Sequence, residues 1–264
     1  MNRKSPLPEI ETDFARLYDL HPEYEARRRT NSPEKAQIEL EIARFKLPYL
    51  LRQLNSYSPH SILEIGCATG ELIGNFPIKK DGFRMGIDIS ECNIKIAQQR
   101  FPKVSFESGD FRQMDLPKFD LVILSDILEH VPEDKLFLAQ AAKLAPRVLV
   151  NLPLECNWLN RYRNYGPTDA SGHLRSYTLN QGLALFQEAG LKLQSWERVW
   201  IHETEAEKLR RRLRIQQQGK AFAGGPIGSL IRQSIFTLAS TLPPLGRHLF
   251  ASNLFALAKN LENP

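Results

Sequence analysis

Residues 63–72 read Leu63-Glu64-Ile65-Gly66-Cys67-Ala68-Thr69-Gly70-Glu71-Leu72. They follow the start of a short apolar run, Ser61–Ile65, with the character of a buried strand. The run ends in a bend that holds two glycines. Glycine permits positive φ and lets a ligand come close to the backbone. A strand that turns sharply into a helix in this way belongs at the carboxyl edge of an open α/β sheet, where ligands bind at the point of strand-order reversal. Such a bend can also be a tight connection and nothing more, so the flanking sequence has to decide.

Downstream, strand-like and helix-like stretches alternate. Strands are expected at Arg84–Ile89, Val104–Ser108, Phe119–Ser125, Arg147–Leu152, Leu191–Trp200 and Ser252–Lys259. Leu121–Leu124 is unbroken apolar sequence, as a central parallel strand requires. Ser90 can cap a helix reaching about Phe101, and Glu133–Ala145 reads as a helix that stops before Pro146. Thr178 and Gln181 have capping-box spacing, and Gly190 closes that helix. The expected fold class is α/β, with a doubly wound, mostly parallel seven-stranded sheet and helices on both faces.

Four segments follow from this reading. Residues 1–57 form a tail and a helical lead-in, in which Ser32 caps, Pro33 starts, and Ile38, Ile42, Phe45 and Tyr49 keep helical spacing. Pro48 should kink or break that helix. Residues 58–200 are the α/β core. Residues 201–251 differ in character: they hold a Gly224-Gly225-Pro226 break and an amphipathic stretch with Ile231, Ile235, Leu238 and Leu242. They are expected to be a helical insertion, after which residues 252–264 return to the core as its last strand.

Composition sets outer bounds. The 264 residues, 42% hydrophobic and 25% charged, suit one soluble α/β domain with additions. Three separated cysteines, Cys67, Cys92 and Cys156, make neither a disulfide framework nor a zinc pattern, and a cytoplasmic setting is expected. Neither a secretory signal nor a membrane-spanning run is visible. The net charge is +5, and Lys208, Arg210, Arg211, Arg212, Arg214 and Lys220 crowd into one short segment without an acid. The rest is near neutral, so no general nucleic-acid surface is implied. The basic run reads as a solvated helix face, or, with the apolar stretch after it, as a peripheral membrane contact through 208–242.

The bend does not suit a dinucleotide. Aligned on Gly66, the G-x-G-x-x-G pattern would need glycine at Ala68 and glycine or alanine at Glu71. An acid there is bulky and repels a pyrophosphate. A ligand without phosphates and with a cationic centre fits better.

Three further landmarks follow. Asp88 ends the second strand 22 residues after Gly66, where an acid can accept both hydroxyls of a ribose. Ser108-Gly109-Asp110-Phe111 follows the third strand, and Ser125-Asp126-Ile127-Leu128-Glu129-His130-Val131 follows the fourth. In this set the chain resembles the class I S-adenosylmethionine-dependent methyltransferases. Their first motif, E/D-x-G-x-G-x-G, is matched by Glu64–Gly70 except at Ala68. The resemblance covers about residues 60–200 and the last strand. It implies S-adenosyl-L-methionine as cofactor, with Gly66, Cys67, Ala68 and Gly70 against its methionine part and Glu64 organising the loop. It further implies Asp88 and Ile89 at the ribose, Asp110 and Phe111 at the adenine, and Ser125 and Asp126 at the strand end between cofactor and acceptor. Asp126–Val131 follows the D-x-L-E-H-V pattern of many small-molecule methyltransferases.

The expected reaction is methyl transfer to a small molecule, with oxygen as the first-choice atom and alignment as the main contribution of the protein. A hydroxyl or amine acceptor needs a base. His130 is the first candidate and His173 the second. His173 sits in Ser171–Thr178, similar to H-x-R-x-Y/F-T segments on the acceptor side of such enzymes. His173 and Arg175 can equally be loop supports. Asn157–Tyr165, rich in aromatic and cationic groups, reads as a pocket wall or as a surface loop. No metal motif stands out, so a metal-free mechanism is expected. The rival readings are a non-catalytic S-adenosylmethionine-binding module, a nicotinamide oxidoreductase, and an RNA methyltransferase using residues 208–220. Acceptor and oligomeric state are not legible.

Overall fold

In the computed structural model the described residues are 28, 38–39, 41–157, 160, 163–166, 169, 172–200, 230–231, 234–235, 237–238, 241–242 and 252–261. The expected Ser32–Pro33 helix start, the basic run and most of the 201–251 insertion lie outside them. Four of the apolar side chains described in that segment, Leu230, Ile231, Leu238 and Leu242, are exposed. Among the described residues no helix is long and apolar enough to cross a membrane.

Seven strands form one sheet: β1 (Ser61–Ile65), β2 (Phe83–Asp88), β3 (Ser105–Ser108), β4 (Leu121–Ser125), β5 (Arg147–Leu154), β6 (Leu191–Trp200) and β7 (Ser252–Asn260). Their order is β3-β2-β1-β4-β5-β7-β6. The order reverses between β1 and β4, which places the Gly66–Gly70 bend at the switch point. The pairs β1–β2, β1–β4, β2–β3 and β4–β5 are parallel. The last strand, β7, slots between β5 and β6 and runs antiparallel to both. The sheet is thus the doubly wound, mostly parallel one expected. β1 and β6 begin and end where the sequence places them, and the other strands differ by one to two residues at an end.

Five helices matter for the site: α1 (Leu47–Leu54), α2 (Glu71–Asn75), α3 (Glu91–Arg100), α4 (Asp134–Ala142) and α5 (Leu179–Glu188). The helix at Pro48 does not break. Residues Ile42–Lys46 widen into a π-helical turn, Leu47 N–H bonds back to the Ile42 carbonyl, and Pro48 falls in the first turn of α1. Pro48 has no N–H to give to the preceding turn, and the π-helical turn stands where that bond is lost. Helix α4 is shorter than the expected 133–145. Ser90 caps α3 by accepting from Asn93 N–H, and Thr178 with Gln181 makes the full capping box on α5.

Both faces of the sheet are covered. On one side Leu63, Ile65, Val122, Leu124, Val148 and Val150 meet Leu138 of α4 and Phe186 of α5. On the other, Ile62, Leu121, Ile123 and Leu149 meet Phe45, Leu50, Ile73 and Ile94. Each such side chain contributes about 1.5–3 kcal/mol when fully buried, which makes the strands a rigid platform for the loops at their carboxyl ends.

Candidate active site

The bend after β1 has left-handed backbone at alternate positions: Gly66 at φ 78°, Ala68 at φ 46° and Gly70 at φ 84°. Ala68, the departure from the all-glycine pattern, therefore carries a real strain, of about 1–2 kcal/mol for a residue with Cβ. Gly66 and Cys67 donate backbone N–H bonds to the Ile87 carbonyl at 2.8 and 3.0 Å. A Cβ on Gly66 would come within 2.5 Å of Ile127 beyond β4, so the bend presses on the neighbouring strand end.

Glu64 is buried, and its Oε2 accepts the Ile73 N–H of α2 at 2.9 Å. It thus holds the helix that the bend enters. Burial pushes its carboxyl up to about 8, against the pull of that N–H and of Lys46 and with further lift from Glu71 and Asp88. Burial likewise raises the Cys67 thiol, reinforced by Asp88 and Glu64. A cation delivered to this pair of acids would be strongly favoured.

Asp88 turns into the bend. Its Oδ2 accepts the Ala68 N–H at 2.8 Å, and its Oδ1 accepts the Ser90 N–H at 2.9 Å and Asn93 Nδ2 at 3.4 Å. Ile89 beside it is exposed. Gly109 N–H donates to the Asp88 carbonyl at 3.0 Å, which sets the third landmark beside the second. Phe111 is buried edge-on against Phe137 of α4, with ring centroids 5.0 Å apart. Asp110 is gripped by Arg112, whose Nε lies 2.9 and 3.0 Å from its two oxygens. This partner holds the Asp110 carboxyl below the usual carboxylate range. An adenine amino group there would have to share the oxygens with Arg112.

At the end of β4, Asp126 also takes left-handed backbone, at φ 52°. Its Oδ2 lies 2.8 Å from Lys46 Nζ, 2.8 Å from Asn151 Nδ2 and 3.0 Å from Ser125 Oγ. Burial alone would lower the Lys46 ammonium, but Asp126 and Glu41 hold it above its ordinary value. The lead-in helix therefore supplies a charge to the site. Sequence reasoning missed Lys46 and Asn151; only Asn151, polar inside an apolar strand, left a local signal.

His130 and His173 meet although 43 residues separate them. Their rings are edge to face with centroids 4.7 Å apart. His130 Nδ1 lies 3.0 Å from the Gly172 carbonyl, and His173 Nδ1 lies 2.8 Å from Glu155 Oε2. Burial pushes His130 down to about 4, with help from His173. Glu155 also binds Arg163 at 2.8 Å. Burial would raise the Glu155 carboxyl, but His173 and Arg163 hold it below its ordinary value. Glu129, next to His130, is 1% exposed, and neither carboxylate oxygen has a hydrogen-bond partner.

The remaining residues singled out in this region are supports. Arg175 bonds the Pro132 carbonyl and pairs with Asp134 at 3.1 Å. Arg163 also holds Asp169 at 2.7 Å, while Asn157 and Asn160 donate to the Glu155 carbonyl. These described members of the Asn157–Tyr165 stretch wrap Glu155. Trp158, Leu159, Arg161 and Tyr162 lie outside the described residues. Glu71 is buried, accepts the Thr69 hydroxyl at 2.6 Å and pairs with Arg100. Its charge is thus answered inside the fold, and the case against a dinucleotide rests on its bulk and on the other acids.

The family model for the methyltransferase domain matches residues 62–149, from β1 into β5. That match spans about a third of the 264 residues and shows what this stretch is similar to. The chain is 27% identical over 105 residues to the ubiquinone biosynthesis O-methyltransferase of Coxiella burnetii, covering 38% of this chain and 44% of that protein. A match to the ajmaline N-methyltransferase of Rauvolfia serpentina is 33% identical over 95 residues and covers 33% of each. The chain thus spans less than half the length of these curated relatives. Haemonchus contortus phosphoethanolamine N-methyltransferase 2, solved with S-adenosyl-L-methionine, superposes with a TM-score of 0.60 at 16% identity, covering 97% of this chain and 61% of that one. At that identity the likeness establishes the Rossmann-like methyltransferase fold.

Proposed function

We propose that the protein binds S-adenosyl-L-methionine at the Gly66–Gly70 bend and moves its methyl group to a small-molecule acceptor, at oxygen. The observation that carries this reading is the carboxylate of Asp88, held against the bend by the Ala68 N–H at 2.8 Å. It stands where two adjacent ribose hydroxyls can donate to it. The donor set fits the cofactor: Glu64 and Asp88 flank the bend, and a sulfonium or an α-amino group lowers the cost of the charge on Glu64.

When bound, this cofactor supplies a methyl group on a sulfonium, whose sulfur leaves as a neutral thioether as the acceptor oxygen bonds to carbon. The protein's part is to align and to handle a proton. Ser125 and Asp126, fixed by Asn151 and Lys46, close the space between bend and acceptor side. The cluster of Glu129, His130 and His173 beyond them deals with the acceptor's proton. His130 is neutral at physiological pH because it is buried. Glu155 fixes the ring of His173 and would stabilise positive charge on it. The O-methyltransferase relative supports oxygen as the accepting atom, and the near-neutral charge of the sequence outside residues 208–220 supports a small molecule over a nucleic acid.

The test is incubation of the whole protein with methyl-labelled cofactor and a small-molecule extract, followed by mass spectrometry. A labelled product, lost in Asp88→Ala, is the expected result. Label appearing only in RNA or protein would overturn the acceptor class, and no transfer despite tight cofactor binding would point to a non-catalytic binding module.

A further inference from the structure

Glu129 poses a physical problem. Its carboxylate is 1% exposed and both oxygens lack a donor. Leaving a buried charge without a partner costs several kcal/mol. A group of this kind is either kept protonated or answered by a cation. Its backbone is fixed, because the Glu129 carbonyl accepts the Leu174 N–H at 2.8 Å. That bond ties the β4 end to the segment carrying His173.

The two imidazoles next to it have defined tautomers. A carbonyl oxygen can only accept, so the contact of His130 Nδ1 with Gly172 at 3.0 Å puts a proton on Nδ1 and the lone pair on Nε2. The same argument applies to His173, whose Nδ1 faces Glu155 at 2.8 Å. Histidines that bind metals are oriented in this way, the second ring nitrogen donating to a carbonyl or carboxylate. His130 Nε2 lies 3.8 Å from Glu129 Oε1. One ligand atom each from Glu129, His130 and His173 lie within 4.8 Å of one another. In a tetrahedral site with bonds of about 2.0–2.2 Å, ligand atoms sit about 3.4 Å apart. The three ligand atoms would thus have to close by up to about 1.4 Å on an ion.

We propose that Glu129, His130 and His173 bind a divalent first-row transition-metal ion on the acceptor side of the site. Two imidazole nitrogens and one carboxylate oxygen suit zinc, cobalt, manganese or iron(II) better than magnesium or calcium, which prefer all-oxygen sites. Three protein ligands leave at least one position open, and an acceptor hydroxyl can fill it. Bound to the cation, that hydroxyl releases its proton to water more readily; with the ion in place the imidazoles are ligands and no longer take up that proton themselves. The cation's role toward the acceptor rests on the function proposed above; its binding does not. This departs from the metal-free expectation because His173 lies 43 residues from His130, a spacing that no short ligand motif reveals.

The test uses tag-free, full-length protein freed of metal by chelation and titrated with Co2+, read by visible absorption and by calorimetry, with Zn2+ as competitor. One ion per chain should bind, with ligand-field bands and without the thiolate charge-transfer bands that the exposed Cys92 or Cys156 would give. Glu129→Gln and His173→Gln should each weaken binding at least tenfold, while Cys92→Ser should not. Glu129→Gln removes only a buried charge, so its thermal midpoint should not fall; that variant keeps the test valid if His173→Gln folds poorly. No saturable binding to the wild type, or binding unchanged in Glu129→Gln, would overturn the site. Calorimetry with S-adenosylhomocysteine on the same samples separates the two proposals: cofactor bound without metal removes this one alone, and metal bound without cofactor removes the other.

Discussion

Replacing Glu64 by glutamine should reshape the pH dependence of stability. In the folded chain the carboxyl is pushed up to about 8, from an ordinary value of 4.5. Below the ordinary value both folded and unfolded chains carry the proton. Between the two values the folded state holds it and the unfolded state has lost it, so stability falls as pH rises through this window. Above the folded value the loss is complete. At about 1.36 kcal/mol per unit the full loss is on the order of 5 kcal/mol, a large share of a typical domain's 5–15 kcal/mol. Glutamine keeps a carbonyl for the Ile73 N–H, now 2.9 Å from Glu64 Oε2, and has no charge to bury. Urea unfolding at pH 5.5, 7 and 9 should show the wild type weakening more steeply than Glu64→Gln, which keeps only the loss from other buried acids such as Glu129, the two diverging by a few kcal/mol at pH 9. Parallel curves would refute the reasoning, because they would mean that the Glu64 charge is solvated or paired.

Three further outcomes follow from the same contacts. Gly66→Ala should cost more than the roughly 1–2 kcal/mol that φ 78° alone implies, since the new Cβ also meets Ile127 at 2.5 Å, whereas Ala68→Gly, at φ 46°, should gain up to about 1 kcal/mol; chemical denaturation of both variants checks the pair. Thr178→Ala removes half of the capping box on α5 and should lower stability by about 1 kcal/mol, read as a lower thermal midpoint. Glu155→Gln frees the ring of His173 and should lower turnover tenfold or more while leaving the affinity for S-adenosylhomocysteine unchanged; equal losses of both would show that Glu155 holds the fold and not the ring.

Much of the cofactor side could be read from the chain because its determinants are local. The Gly66–Gly70 bend, the acid at Asp88 and the Thr178–Gln181 box each lie within one strand-to-helix connection, so spacing reports geometry. The alternation of strands and helices fixed the fold class for the same reason. What could not be read depends on distance in the chain. Lys46 reaches Asp126 across 80 residues, and Glu155 orients His173 across 18 residues. Proline rules misjudged the lead-in helix, because a π-helical turn before Pro48 let the chain stay helical. The reading of Glu71 as a charge facing the ligand failed on Arg100, which arrives from α3. The antiparallel placement of β7 between β5 and β6 is likewise a matter of topology that no local pattern encodes.

The central claim is that the bend after β1 and the carboxylate of Asp88 together hold an adenosyl thioether. Isothermal titration of S-adenosylhomocysteine into the wild type and Asp88→Ala tests it most directly, with circular dichroism to show that both are folded. One site per chain, weakened tenfold or more in the variant, is a difference of at least about 1.4 kcal/mol and is the predicted result. A folded Asp88→Ala protein that binds the ligand as tightly as the wild type would contradict the account.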